Sequence, residues 1–282
     1  MPNGSRETRS GGSRRLRMLV MLSVAIAVAT GGMATQPSVT QAGQKKVVLV
    51  VGPVGSMTSY YKRESNEVAA WASNMGAKVI KVYSPNATWA RVKTVAQGAN
   101  LLVYMGHGNG WPSPYKPFQT RTKNGMGLNS AAGQGNNNTK YWGEQYIAAD
   151  INLARNSMVL LQHLCYASGN PEWGRAAPTR SVAVQRVDNY GAGFLRTGAR
   201  VVLAETLGKA RYVINGLWGS NKTMSQIFWS APNRVGTYRH KFSSSRTSWA
   251  RAEMDPNPRI KGTYWRSIIG DLSMTAGQWR SQ

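Results

Sequence analysis

At 282 residues, 41% of them apolar, the chain can bury one substantial core with at most a small appendage. Its 35 Lys and Arg against 11 Asp and Glu give a net charge of +24, a field that attracts polyanions, and its single cysteine excludes an intrachain disulfide. The basic residues are scattered, with no run after residue 34 longer than a pair such as Lys45-Lys46, and no zinc-finger, helix-turn-helix or RNA-recognition pattern occurs, so specific nucleic-acid binding is not expected.

The amino end reads as a targeting segment. Arg14-Arg15-Leu16-Arg17 precedes a largely apolar stretch of 12 residues, 18–29, and then Gly32-Met33-Ala34. A basic start, a short apolar stretch and a small-residue site describe a secretory signal peptide over residues 1–34. The stretch is short for a membrane span, which needs ~20 residues, so membrane contact is expected only if the segment stays uncleaved. Ser13-Arg14-Arg15 hints at twin-arginine export, although Arg17 stands where that signal prefers an apolar residue. The expected location is secreted or extracytoplasmic, at the cell envelope. Loss of residues 1–34 removes five arginines and Glu7, lowering the net charge by four to +20. Non-specific binding to anionic cell-envelope polymers is therefore expected.

Residues 35–44 form a polar linker. Residues 45–52 read as a strand, 57–75 as a helix closed by Gly76, 77–83 as a second strand, 88–97 as a second helix and 100–105 as a third strand. This β-α-β-α-β order implies right-handed parallel crossovers in an α/β fold. Gly52-Pro53-Val54-Gly55-Ser56 lacks the lysine of a phosphate loop and the three glycines of a dinucleotide fingerprint, so it reads as a tight turn. The stretch 109–143, rich in Pro, Gly and Asn, is too long for an ordinary connection and reads as a loop bordering whatever site lies nearby. Residues 144–153 read as a helix, the apolar run ending in Cys165 as a strand, 180–197 as a helix, 199–204 as a strand and 211–229 as a helix. Strand structure is expected within 263–275.

Two of these strands end in reactive groups. Leu101-Leu102-Val103-Tyr104-Met105 stops at Gly106-His107-Gly108, and Met158-Val159-Leu160-Leu161-Gln162-His163-Leu164-Cys165 stops at Tyr166-Ala167-Ser168-Gly169-Asn170. In open α/β sheets, ligands and reactive groups gather beyond the carboxyl ends of parallel strands. A secreted chain with one cysteine holds either a free reactive thiol or an intermolecular link. A thiol is mostly un-ionised at neutral pH, so catalysis needs a base close by, and His107 is the candidate.

His-Gly followed by a downstream strand ending in Cys resembles the caspase-like cysteine peptidases, the superfamily of caspases, legumains, gingipains and clostripains. The 58 positions from His107 to Cys165 compare with the roughly 50-residue spacing in caspases. Leu164-Cys165-Tyr166-Ala167-Ser168-Gly169 is most similar to a legumain-type nucleophile loop, although His163 and Leu164 depart from the usual pattern. The resemblance covers residues 45–230. It implies a caspase-like three-layer α/β/α sandwich with a mostly parallel sheet, onto which residues 231–282 would pack as an extension. It implies a thiol protease in which Cys165 attacks an amide carbonyl of a peptide or protein substrate, His107 supplies a proton to the leaving amine, and the backbone N–H groups of Gly108 and Cys165 hold the oxyanion. The same residues also suit a catalytically inactive module that binds acidic polymers or a protein partner.

Four further residues are weighed beside the dyad. Strand alternation would set His163 on the side of Cys165, as a substrate-binding group or, with Cys165 and His107, as a zinc ligand, while a buried histidine hydrogen-bonded to backbone is the commoner outcome. The chain offers no second cysteine and no adjacent carboxylate, so neither a metal nor another cofactor is expected. Glu205, ending the strand after the nucleophile strand, is the candidate acid for a substrate Arg or Lys before the scissile bond, with pairing to Lys209 or Arg211 as its structural alternative. Asp188 is an inferior candidate for that role, and His240 reads as a surface residue.

Overall fold

The chain's apolar runs become the middle of one large sheet. The computed structural model describes residues 43–237 and 239–281, so the expected signal peptide and all but the end of the linker lie outside the described residues. In chain order the elements are β1 (Lys46–Val51), α1 (Thr58–Asn74), β2 (Lys78–Tyr83), α2 (Trp89–Ala96), β3 (Leu101–Met105), β4 (Met126–Asn129), β5 (Thr139–Trp142), α3 (Glu144–Asp150), β6 (Met158–Gln162), α4 (Arg180–Leu195), β7 (Val201–Glu205), α5 (Arg211–Gly219), α6 (Met224–Phe228), β8 (His240–Ser243), β9 (Arg251–Pro256), β10 (Tyr264–Gly270) and α7 (Ala276–Arg280). The eight-stranded sheet runs β2-β1-β3-β6-β7-β10-β9-β8. Its first five strands are parallel and the last three pair antiparallel.

The strands β1, β3, β6 and β7 are continuous apolar runs because both faces are covered. Alternate residues feed two cores. Val48, Val50, Leu102, Tyr104, Val159 and Leu161 pack with Val92 of α2, Ile147 of α3 and Phe194 of α4. Val47, Leu49, Leu101, Val103 and Leu160 pack with Val68 of α1, Val213 of α5, Ile227 of α6 and Trp279 of α7. The result is a three-layer α/β/α sandwich around a mostly parallel sheet. Threonines open several helices: Thr88 accepts from the Arg91 N–H and Thr179 from the Val182 N–H, while Thr223 with Gln226 and Thr275 with Gln278 form capping boxes. Gly76, at φ +82°, ends α1 as its sequence position suggests.

Several stretches differ from the sequence reading. Residues 109–143 contain the hairpin β4–β5, with Met126 opposite Trp142 and Asn129 opposite Thr139. The helix expected over 211–229 is broken into α5 and α6, because the chain turns out at Ser220 and restarts at the Thr223 cap. The carboxyl segment does not merely lie on the sheet. Its strand β10 enters between β7 and β9 and so belongs to the sheet itself.

Candidate active site

The site lies past the carboxyl ends of β3 and β6, which are parallel neighbours with Met105 opposite Gln162. On the β3 side, the buried Tyr104 hydroxyl accepts the Gly127 N–H at 2.8 Å and lies 2.9 Å from the carbonyl oxygens of both His107 and Gly127. One phenol therefore ties the His107 backbone to strand β4. The His107 residue is itself exposed. Partial burial lowers the pKa of its imidazole, and the negative charge of Glu172 pulls in the opposite direction.

Strand β6 stops at Gln162, three residues before the cysteine. His163 and Tyr166 then take left-handed backbone angles, φ +60° and +69°, one on each side of Leu164-Cys165. Such angles cost non-glycine residues about 1–3 kcal/mol each and persist only where surrounding contacts dictate them. Here Asn170 supplies many of those contacts, giving its side-chain N–H to the Tyr264 carbonyl and taking the Tyr264 N–H, both at 2.7 Å. Ser168 meets Thr206 hydroxyl to hydroxyl at 2.6 Å, and Ser267 donates to the Ala167 carbonyl at 3.3 Å. The Arg186 guanidinium stacks over Tyr166 and donates to the Gly169 carbonyl and to the Pro112 carbonyl.

The two loops touch through backbone. A Cβ on Gly108 would stand 2.1 Å from the Cys165 carbonyl oxygen, so only glycine allows this approach. No hydrogen bond joins the His107 imidazole to the Cys165 thiol among the described residues. Burial, and then the charge of Glu172, push the thiol pKa up, while the backbone of Trp173 and of Cys165 itself works against them. Glu172 was not singled out in the sequence, and its only hint there is a carboxylate seven positions past the cysteine in an acid-poor chain. Its carboxylate accepts from the Tyr115 hydroxyl at 2.9 Å, linking the Cys165 loop to the 109–124 strap.

The other sequence candidates are engaged by groups away from the Cys165 thiol, and His163 takes the backbone-bonded role that was its alternative. Because β6 has already ended, alternation does not govern His163. Its Nδ1 faces the Thr206 carbonyl at 2.9 Å and its ring stacks on Tyr61 at 5.2 Å, rather than standing beside Cys165 as a substrate group. Glu205 is only 1% exposed, and its carboxylate takes donors from Arg266 (2.8 Å), Tyr212 (3.0 Å) and the Gly208 N–H (3.0 Å). It pairs neither with Lys209 nor with Arg211, and it is not open to a substrate cation. Asp188 is buried and bound by Ser244 and Ser245. His240 is part-buried with its ring edge-on to Tyr264. No group of three or more His, Cys, Asp or Glu among the described residues is placed to hold a metal.

No family model matches the chain, and no curated protein matches it. Among solved structures it is similar to the Arg-specific cysteine proteinase gingipain R, with 13% identity, a TM-score of 0.34 and coverage of 82% of this chain. The chain corresponds to 61% of that proteinase's length.

Proposed function

We propose that the protein is a cysteine peptidase, or a closely related amide hydrolase, acting through Cys165 and His107. The observation that carries this reading is the meeting of two loops at the carboxyl ends of adjacent parallel strands, where Gly108 lies against the Cys165 backbone. In this reading, Cys165 Sγ attacks the substrate carbonyl as its proton passes to His107. The C–N bond breaks, the proton goes to the departing amine, and a thioester remains. Water, deprotonated by His107, hydrolyses the thioester and restores the thiol. The Gly108 N–H, which has no acceptor among the described residues, and the Cys165 N–H are the oxyanion donors, each typically contributing ~3 kcal/mol. The raised thiol pKa and the unformed His107–Cys165 hydrogen bond fit a site in which the nucleophile is activated only when substrate is bound.

A second reading draws on those same two features: an inactive module of this architecture that binds a partner or an acidic polymer. A peptidyl electrophile decides between them. The active site predicts labelling of Cys165 faster than in a denatured control, loss of labelling in Cys165→Ala and at least a tenfold slowing in His107→Ala. Native labelling no faster than the control would leave the inactive module. Export to the cell envelope remains part of the proposal, resting on the 1–34 pattern; the processed amino terminus of the exported protein, read by mass spectrometry, tests it.

A further inference from the structure

The antiparallel end of the sheet turns polar residues to one face. In β8 and β9, Phe242, Ala252 and Met254 point into the core beneath α2, α3 and α4. On the opposite face Lys241 stands across from Glu253, and Ser243 across from Arg251. Glu253 marks that face, because it reaches Ser225 and Trp229 at α6. A cavity of about 660 Å³ is lined by these four side chains, by Trp249 and by Asp271 in the turn after β10. It lies at the other end of the sheet from Cys165. Gly270, also in its lining, pairs with Val201 at the start of β7, whereas the Cys165 loop follows Gln162, which pairs with Glu205 at the end of β7.

What the cavity offers is positive charge and hydrogen-bond donors. Its acids are turned to the protein: Asp271 accepts from Arg200 (2.6 Å), Ser273 and the Met274 N–H, and Glu253 accepts from Ser225 and Trp229. Its cations are less well matched. Lys241, with 64% of its side chain exposed, meets Glu253 only at 3.5 Å. Arg251 donates to the Ser248 and Ala250 carbonyls and forms no ion pair among the described residues. The Ser243 hydroxyl and the Trp249 indole N–H have no partner among the described residues. Arg200, held by Asp271, lies over the Trp249 ring at 4.6 Å and fixes it, yet Trp249 stays 44% exposed. An acidic sugar answers each of these groups, with an apolar C–H face for the indole, oxygen acceptors for the donors and an anion for the cations. A base edge, which mixes donors and acceptors, matches them less well. We propose that this cavity binds an acidic saccharide, a sugar unit bearing a carboxylate or a phosphate, packed against Trp249 with its anion on Lys241 and Arg251. Pockets of several hundred Å³ are of the size that holds small ligands. The site is independent of the chemistry at Cys165, and it adds a specific hold on an acidic glycan to the general attraction of the +24 charge.

Tetragalacturonate, mannose phosphate, the neutral maltotetraose and tetrathymidylate are titrated calorimetrically into the protein at physiological salt. An acidic sugar is expected to bind at least about tenfold more tightly than maltotetraose, and which of them does so tells carboxylate from phosphate. Trp249→Ala, and separately Lys241→Gln with Arg251→Gln, should each weaken that binding about tenfold. Lys78→Gln with Lys81→Gln, an equal loss of charge on the opposite edge strand β2, should change it by less than about twofold. Trp249→Phe keeps an aromatic ring beside Arg200 and should retain part of the affinity, which separates loss of the binding face from loss of the fold. Labelling of Cys165 by a peptidyl electrophile should be the same in all these variants. Binding of neither acidic sugar, equal binding of maltotetraose, tighter binding of tetrathymidylate, or equal weakening by the β2 pair overturns the assignment.

Discussion

At the scale of single residues, the thiol is held in reserve. Burial and the Glu172 charge raise the Cys165 pKa, so little thiolate is present at neutral pH. Iodoacetamide, which engages no recognition group, is therefore expected to alkylate native Cys165 more slowly than the denatured chain at pH 7. The rate should climb with pH beyond the ordinary thiol range near 8.5. Because a negative neighbour raises a thiol pKa, Glu172→Gln should move the profile to lower pH. A profile that stays in place would show that burial alone sets it. Tyr104 makes the complementary case. Tyr104→Phe leaves the Gly127 N–H without its acceptor, at a cost of about 1–3 kcal/mol, and frees the His107 backbone from β4. Urea unfolding should show that loss, and peptidyl labelling of Cys165 should slow by more than the stability change accounts for.

At the scale of elements, the ion pair between α3 and the loop after β8 sets an acid limit on the fold. Burial alone would raise the Glu144 pKa, but hydrogen bonds from Arg246 and Asn124 outweigh it and hold the carboxyl below its usual range. A depressed carboxyl stabilises the fold above its unfolded pKa of ~4.3 and loses that contribution as pH falls through the folded value. Glu144→Gln should cost roughly 2–4 kcal/mol at pH 7, below the full buried-pair range because Arg246 is partly exposed. The gap between wild type and variant should narrow by pH 3. Denaturant midpoints at the two pH values check this.

Which elements could be read from the chain follows from how they are covered. Strands β1, β3, β6 and β7 carry helices on both faces and are apolar except at one end, where β1 opens with Lys46 and β6 and β7 close with Gln162 and Glu205. Strand β9 hides charge instead: Glu253 takes Trp229 and Ser225, and Asp255 takes Arg266, so its buried residues read as a polar stretch. Strand β8, at the sheet edge, alternates part-buried and exposed positions over four residues and gives too short a pattern. His107 and Cys165 were legible because apolar runs break off abruptly beside them. Glu205 misled because its partner, Arg266, comes 61 positions later, and Glu172 gains meaning only from a strap that the fold brings against it.

At the scale of the molecule, the surplus of positive charge is expected to draw the protein to polyanions. Retention on an acidic polymer should fall steeply between low and physiological salt, because exposed charges are screened over ~8 Å at 0.15 M. Retention that persists near 1 M salt would mean specific contacts, and column elution against a salt gradient measures the difference.

The pairing of Asn170 with Tyr264 also orders events in time. During synthesis His107 and Cys165 emerge well before the strand that fixes the Cys165 loop, and β10 must slot between β7 and β9 before the loop is locked. The thiol thus gains its final surroundings only once β10 has been made. A truncation ending at residue 256 keeps both reactive side chains and should show no accelerated labelling of Cys165. Under the peptidase reading, completion of the sheet by β10 acts as a safety catch on the thiol.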